Sequence, residues 1–113
     1  MGYKNMIPAK VQDGGVMTFA FEFQESIATP SDGDWILIPD DIRSVAVALN
    51  VTTGTGKIQT TVDSVAKVQA GTATPIDWDD GVVAVDTADV FAPVTAVRQV
   101  NASGTTEIQV RAQ

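Results

Sequence analysis

The sequence predicts an all-β fold: a single β-sandwich of jelly-roll-like type with an extended N-terminal arm. Three observations carry this. Apolar and polar residues alternate in short runs, as in VMTFAFEF at 16–23, which is the period-2 signature of a strand with one buried face. Turn-forming residues interrupt the chain about every eight to twelve positions, the spacing of a sandwich. No window offers the apolar stripe of an amphipathic helix several turns long. Apolar residues make up 44% of the 113 positions but aromatics only 6%, so the core is expected from Val, Ile, Ala and Leu packed between thin sheets.

Residues 1–15, MGYKNMIPAKVQDGG, have no clean period and close on Asp13-Gly14-Gly15. They are expected to form an arm ahead of a sandwich domain spanning 16–113. In the first strand Met17, Phe19, Phe21 and Phe23 share one side. A polar turn, IATPSDGD, leads to WILIP and then to IRSVAVALNV. There Ile42, Val45, Val47 and Leu49 cannot share a strand face without a bulge near Ser44. The glycines of VTTGTGK predict a hairpin, with KIQTTVDS alternating beyond it and SVAKVQ following as another short strand. Pro75 puts GTATPIDWDD on an edge or in a loop. VVAVD, TAVRQV and TEIQVRA complete the set, the last two joined by a hairpin at Asn101-Ala102-Ser103-Gly104.

Composition limits the functions available. The net charge of −7 and the scatter of Lys4, Lys10, Arg43, Lys57, Lys67, Arg98 and Arg111 oppose nucleic-acid binding, which takes clustered cations. The sequence has no apolar run long enough for a membrane span and its N-terminus lacks the apolar stretch of a signal peptide, so a soluble, non-membrane protein is expected. Without Cys or His, disulfides, thiolate metal sites and the commonest general base are missing.

Several constellations invite a chemical reading. A phosphate loop needs Gly-x-x-x-x-Gly-Lys-Ser/Thr, but counting back from Gly56-Lys57 finds Val51 at the first glycine and Ile58 at the hydroxyl. Val85-Asp86-Thr87-Ala88-Asp89 resembles the strand turn of retroviral-type aspartic proteases. The chain ends at Gln113, however, too soon for the flap and second core strand which that fold requires, and Asp86 or Asp89 is expected to cap turn amides instead. Asp77-Trp78-Asp79-Asp80-Gly81 and Asp32-Gly33-Asp34 could offer oxygens to calcium, yet neither continues as a calcium loop ending in Glu. Trp35 and Trp78 with Tyr3 could form a sugar-stacking platform, although a Trp among aliphatic neighbours reads first as an anchor. Ser64-Val65-Ala66-Lys67 has the Ser-x-x-Lys spacing of β-lactam-recognising enzymes but lies in a strand-rich stretch. No catalytic, cofactor-binding or metal residue is assigned, and no enzymatic activity is expected.

The last forty or so residues carry a further pattern. Trp78 and Gly81 lead through a threonine-bearing strand to Pro93-Val94-Thr95-Ala96-Val97-Arg98, then Ser103-Gly104-Thr105 ahead of an alternating terminal strand. This resembles small virion proteins encoded among the head genes of tailed bacteriophages. The resemblance implies a capsid decoration, or cement, protein made in the host cytoplasm and seated on the outer surface of the virion head. Its partners would be the major capsid protein and further copies of itself, as a homotrimer or homodimer, with no cofactor and no direct contact with nucleic acid. Tail, connector and head-fibre-base components and a glycan-binding virion module are the alternatives.

Overall fold

The computed structural model describes residues 2–13, 16–40, 42–78, 81–91 and 93–113. Among them are β1 (Tyr3–Asn5), β2 (Ile7–Asp13), β3 (Val16–Ile27), β4 (Ser31–Asp32), β5 (Trp35–Leu37), β6 (Val45–Thr61), α1 (Val65–Ala70), β7 (Ile76–Asp77), β8 (Thr87–Phe91) and β9 (Ala96–Ala112). Backbone hydrogen bonds link all nine strands into one sheet that folds back on itself as a sandwich.

The fold is built on β6 and β9, each 17 residues long and paired antiparallel from Val45↔Ala112 to Thr61↔Ala96. A straight strand of that length would reach about 57 Å. The molecule's longest extent is 43 Å, so both strands bend, and they bend together. One layer has the order β2-β3-β9-β6-β8 and uses the C-terminal half of β9 with the N-terminal half of β6. The other has the order β1-β5-β9-β6-β7, with β4 also on β9, and uses the opposite halves.

The bend centres on Gly54 and Gly104, which face each other across the ladder at φ 76° and 73°. Side chains are disfavoured in this region, and a Cβ on either glycine would run into a partner-strand carbonyl, that of Ser103 or Thr53. Two reciprocal bonds close the bend: Thr55 N–H donates to Ser103 Oγ at 3.1 Å, and Thr105 N–H donates to Thr53 Oγ1 at 3.1 Å. Asn101 Nδ2 braces it by donating to the carbonyl of Gly104 within β9 and to that of Ile27 at the end of β3. Val45, Val47, Leu49, Ile108 and Val110 of one layer then meet Ile36, Ile58 and Val97 of the other in one core. The core is aliphatic, as expected.

The glycine runs are therefore not hairpins. Each reads as a turn alone, but paired they redirect two continuous strands, with register shifts between Val51 and Thr53 and between Thr55 and Gly56. No bulge is needed near Ser44. The strand begins at Val45, Ile42 packs against the core from outside it, and Ser44 and Gln113 exchange backbone hydrogen bonds just beyond the paired ends. The predicted strand SVAKVQ is helix α1. Ser64 Oγ accepts from Lys67 N–H, and Gly71 N–H bonds back to the last turn, so two caps override a short alternating pattern. In VVAVD only Val83 bridges, to Gly56. The strand starts at Thr87, because the Asp86 carboxylate takes the Val51 N–H at 2.8 Å.

Residues 3–13, within the segment expected as an arm, run extended as two edge strands. β1 lies parallel to β5, and β2 antiparallel to β3, with Met6 between them buried in the core. Asp13 ends β2, while Gly14 and Gly15 lie outside the described residues. Lys4 Nζ fastens β1 by reaching Glu25 at 2.8 Å and Asp34 at 3.2 Å. The hydrogen bond to Glu25, then that to Asp34, holds its ammonium above the usual lysine pKa. The clasp's contribution is thus complete below the ordinary lysine value and is lost as pH rises through the raised one.

Gly54→Ala and Gly104→Ala are expected to lower stability by more than about 2 kcal/mol each, from positive-φ strain plus a carbonyl clash. The midpoint of urea unfolding measures this. A loss below about 0.5 kcal/mol in both variants would show that the bend tolerates side chains.

Candidate functional site

The two outer faces of the sandwich differ. On the layer containing β5 and β7 the face is covered. Trp35, Leu37 and Ala96 form a second apolar cluster with Val68 of α1, a valine whose burial stabilises by about 1.5–3 kcal/mol. The Arg98 guanidinium lies 4.5 Å from the Trp35 ring centroid, donates through Nε to Gln59 Oε1 at 2.8 Å and approaches Asp32 at 3.7 Å. Gln59 Nε2 donates in turn to Asp77 at 2.8 Å, and Lys57 Nζ meets the same carboxylate at 3.0 Å. The hydrogen bond from Gln59, then that from Lys57, holds Asp77 below the usual carboxylate pKa.

On the layer containing β2 and β8, nothing among the described residues covers the face around Ala46, Ala48 and Ala88. Strand alternation sends Val45, Val47, Leu49, Ile108, Val110 and Ala112 inward, leaving Ala46, Ala48, Asn50, Glu107, Gln109 and Arg111 outward. Register extends these across the sheet as rows, Ile7–Glu22–Arg111–Ala46–Val90 and Gln24–Gln109–Ala48–Ala88. The three alanines leave a groove of about 900 Å³, flanked by Ile7 and Val90, which are 63% and 65% exposed. A second depression, of about 370 Å³ and of mixed polar and apolar lining, lies at the open end of the sandwich, where Ile38, Asp40, Ile42, Val65, Pro93 and Thr95 surround it beside Val62, which is 70% exposed. The two surfaces share no lining residue. The groove, whose lining is mainly apolar, is the candidate contact surface.

The residues singled out in the sequence are dispersed. Gly56 is inside the bend, and Lys57 pairs with Asp77. Ser64 and Lys67 are explained by helix capping. Trp35 is buried under Arg98, whereas Trp78 packs against the central core and donates Nε1–H to Asp89 at 2.8 Å. Tyr3 neighbours Trp35 in register, so the three rings make no common platform. Asp32 faces Arg98 and Asp34 faces Lys4, while Asp79 and Asp80 lie outside the described residues. Among the described residues no group of three or more His, Cys, Asp or Glu is placed to hold a metal ion, and no helix is long and apolar enough to cross a membrane. The groove escaped the sequence reading because its alanines come from β6 and β8, and alanine carries no chemical signature.

The class defined here is a jelly-roll-like β-sandwich. Known structures share it. An oxalate oxidase superposes with a TM-score of 0.50 at 13% identity over 82% of this chain, which spans 41% of the oxidase. The SPBc2 prophage-derived protein YomS superposes with a TM-score of 0.51 at 16% identity over 94% of both chains. No family model matches the chain, and no curated protein matches it in sequence. At these identities the likeness is one of fold. It nevertheless corrects the expectation that enzymatic activity is excluded: the same architecture serves an oxidase, so missing His and Cys do not place this chain outside the enzymes.

Asp77→Asn tests the polar cover on the other face. The depressed Asp77 pKa contributes stability that is present above the ordinary carboxylate value near 4 and lost as pH falls through the lower folded value. The melting temperature of the wild type is therefore expected to exceed that of Asp77→Asn by a constant margin above the ordinary carboxylate range and to converge on it as pH falls through the lowered folded value. A margin independent of pH would remove the carboxylate's role.

Proposed function

We propose that this chain is a structural subunit of a tailed-phage particle, a decoration protein that binds the outside of the assembled head and clamps neighbouring major capsid subunits. The observation that carries this reading is the presence of two separate surface depressions on one small sandwich, one mainly apolar and one of mixed lining. A lattice component needs at least two contact areas, and the groove and the open-end rim share no lining residue. The phage-like pattern from Trp78 to Thr105 supports the same reading, as does a net charge of −7, which suits the outer side of a shell filled with nucleic acid. The fold in common with a prophage-derived protein is compatible with it.

The mechanism is linkage. A subunit that binds only the assembled shell stabilises that state by RT ln(1 + [L]/Kd), about 3 kcal/mol per site at roughly a hundredfold excess over Kd. In this scheme the open-end rim carries the shell contact. Quantitative mass spectrometry of purified particles is expected to find the chain at a fixed ratio to the major capsid protein. Val62→Glu should lower that occupancy about tenfold, equivalent to ~1.4 kcal/mol, with the circular dichroism spectrum unchanged. Absence of the wild-type chain from particles overturns the reading, and full occupancy by Val62→Glu overturns the role of the rim.

A further inference from the structure

The geometry points to a second copy of this chain as the occupant of the groove: the face around it packs on its own twofold mate, with the axis parallel to the strands and midway between β3 and β9. A twofold axis in that position keeps each lateral row at its own height and exchanges strands across the interface, so β3 of one copy lies over β9 of the other and β2 lies over β6. Glu22 and Arg111 are cross-strand neighbours, and both are exposed. The operation places each Glu22 over the mate's Arg111, forming two ion pairs of opposite charge.

The next row supports the same arrangement. Gln24 and Gln109 are register partners, so each amide comes to face an amide of the mate, and Gln side chains carry both donors and acceptors. Shape agrees with charge. Ile7 lies in the row of Ala46 and Val90, and the operation sets it over the mate's Ala46, against the wall made by Val90. Ile7, 63% exposed, thus meets a low point of the groove. An isologous contact needs such self-complementarity, with a patch i meeting j while j meets i. Aligned sheet packing at a separation of about 10 Å suits a floor of alanines.

Sedimentation equilibrium of the full chain, with circular dichroism to verify folding, tests the arrangement. The wild type is expected to dimerise. Glu22→Arg or Arg111→Glu alone should raise the dissociation constant at least tenfold by placing like charges together. The double variant, Glu22→Arg with Arg111→Glu, should recover most of the wild-type affinity, a rescue that a merely structural role does not produce. Ala46→Arg, which fills the position under Ile7, should leave a folded monomer. A monomeric wild type, an oligomer indifferent to both single reversals, or a double variant no better than the singles overturns the inference. If the wild type is monomeric and Ala46→Arg nevertheless abolishes particle binding, the groove belongs to a different protein.

Discussion

The paired bend at Gly54 and Gly104 is the constraint on which this structure depends. Because β6 and β9 stay hydrogen-bonded along their length, one cannot change direction without the other. Every neighbouring strand inherits its layer from the half it joins. The chain from β3 through β5 follows β9 around the corner, pairing Ile27 with Thr106 before it and Ser31 with Asn101 after it. Residues 28–30, including Pro30, occupy the interval. Gly56 shows how tight the inside of the corner is, since a Cβ there would stand 2.8 Å from Thr106 Cγ2 and 3.0 Å from the Val100 carbonyl. The sandwich closes because small residues occupy the places where two ladders turn together.

The parts legible in the sequence were those set by local period. Phe21 and Phe23 fall on one half-buried side of β3, Ile108, Val110 and Ala112 share the inner face of β9, and Pro75 precedes an edge strand. What escaped was set by pairing at a distance. Gly54 alone is indistinguishable from a hairpin glycine, and only its partnership with a residue 50 positions later makes it part of a continuous strand. Helix α1 escaped for another reason: six residues are too few to establish a helical period, so its signal lay in Ser64 and Gly71 rather than in the apolar pattern. The groove was the least legible feature. Outward alternation identified Ala46 and Ala48 as solvent-side positions, but nothing local places Ala88, Val90 and Ile7 beside them.

The two outer faces of the sandwich are built for different surroundings. One is closed by α1, with Trp35 buried beneath the Arg98 guanidinium and a chain of polar contacts leading outward to Lys57. The other presents alanines at three adjoining outward positions. Alanine is depleted in strands, where threonine or a β-branched residue supports the backbone better, and an antiparallel sheet facing water ordinarily alternates to polar side chains. A solitary monomer therefore gains little from Ala46, Ala48 and Ala88. Their physical advantage is that they let a second packed layer approach to the separation found inside sandwiches, and the exposed Ile7 and Val90 beside them supply the apolar area which the alanines lack.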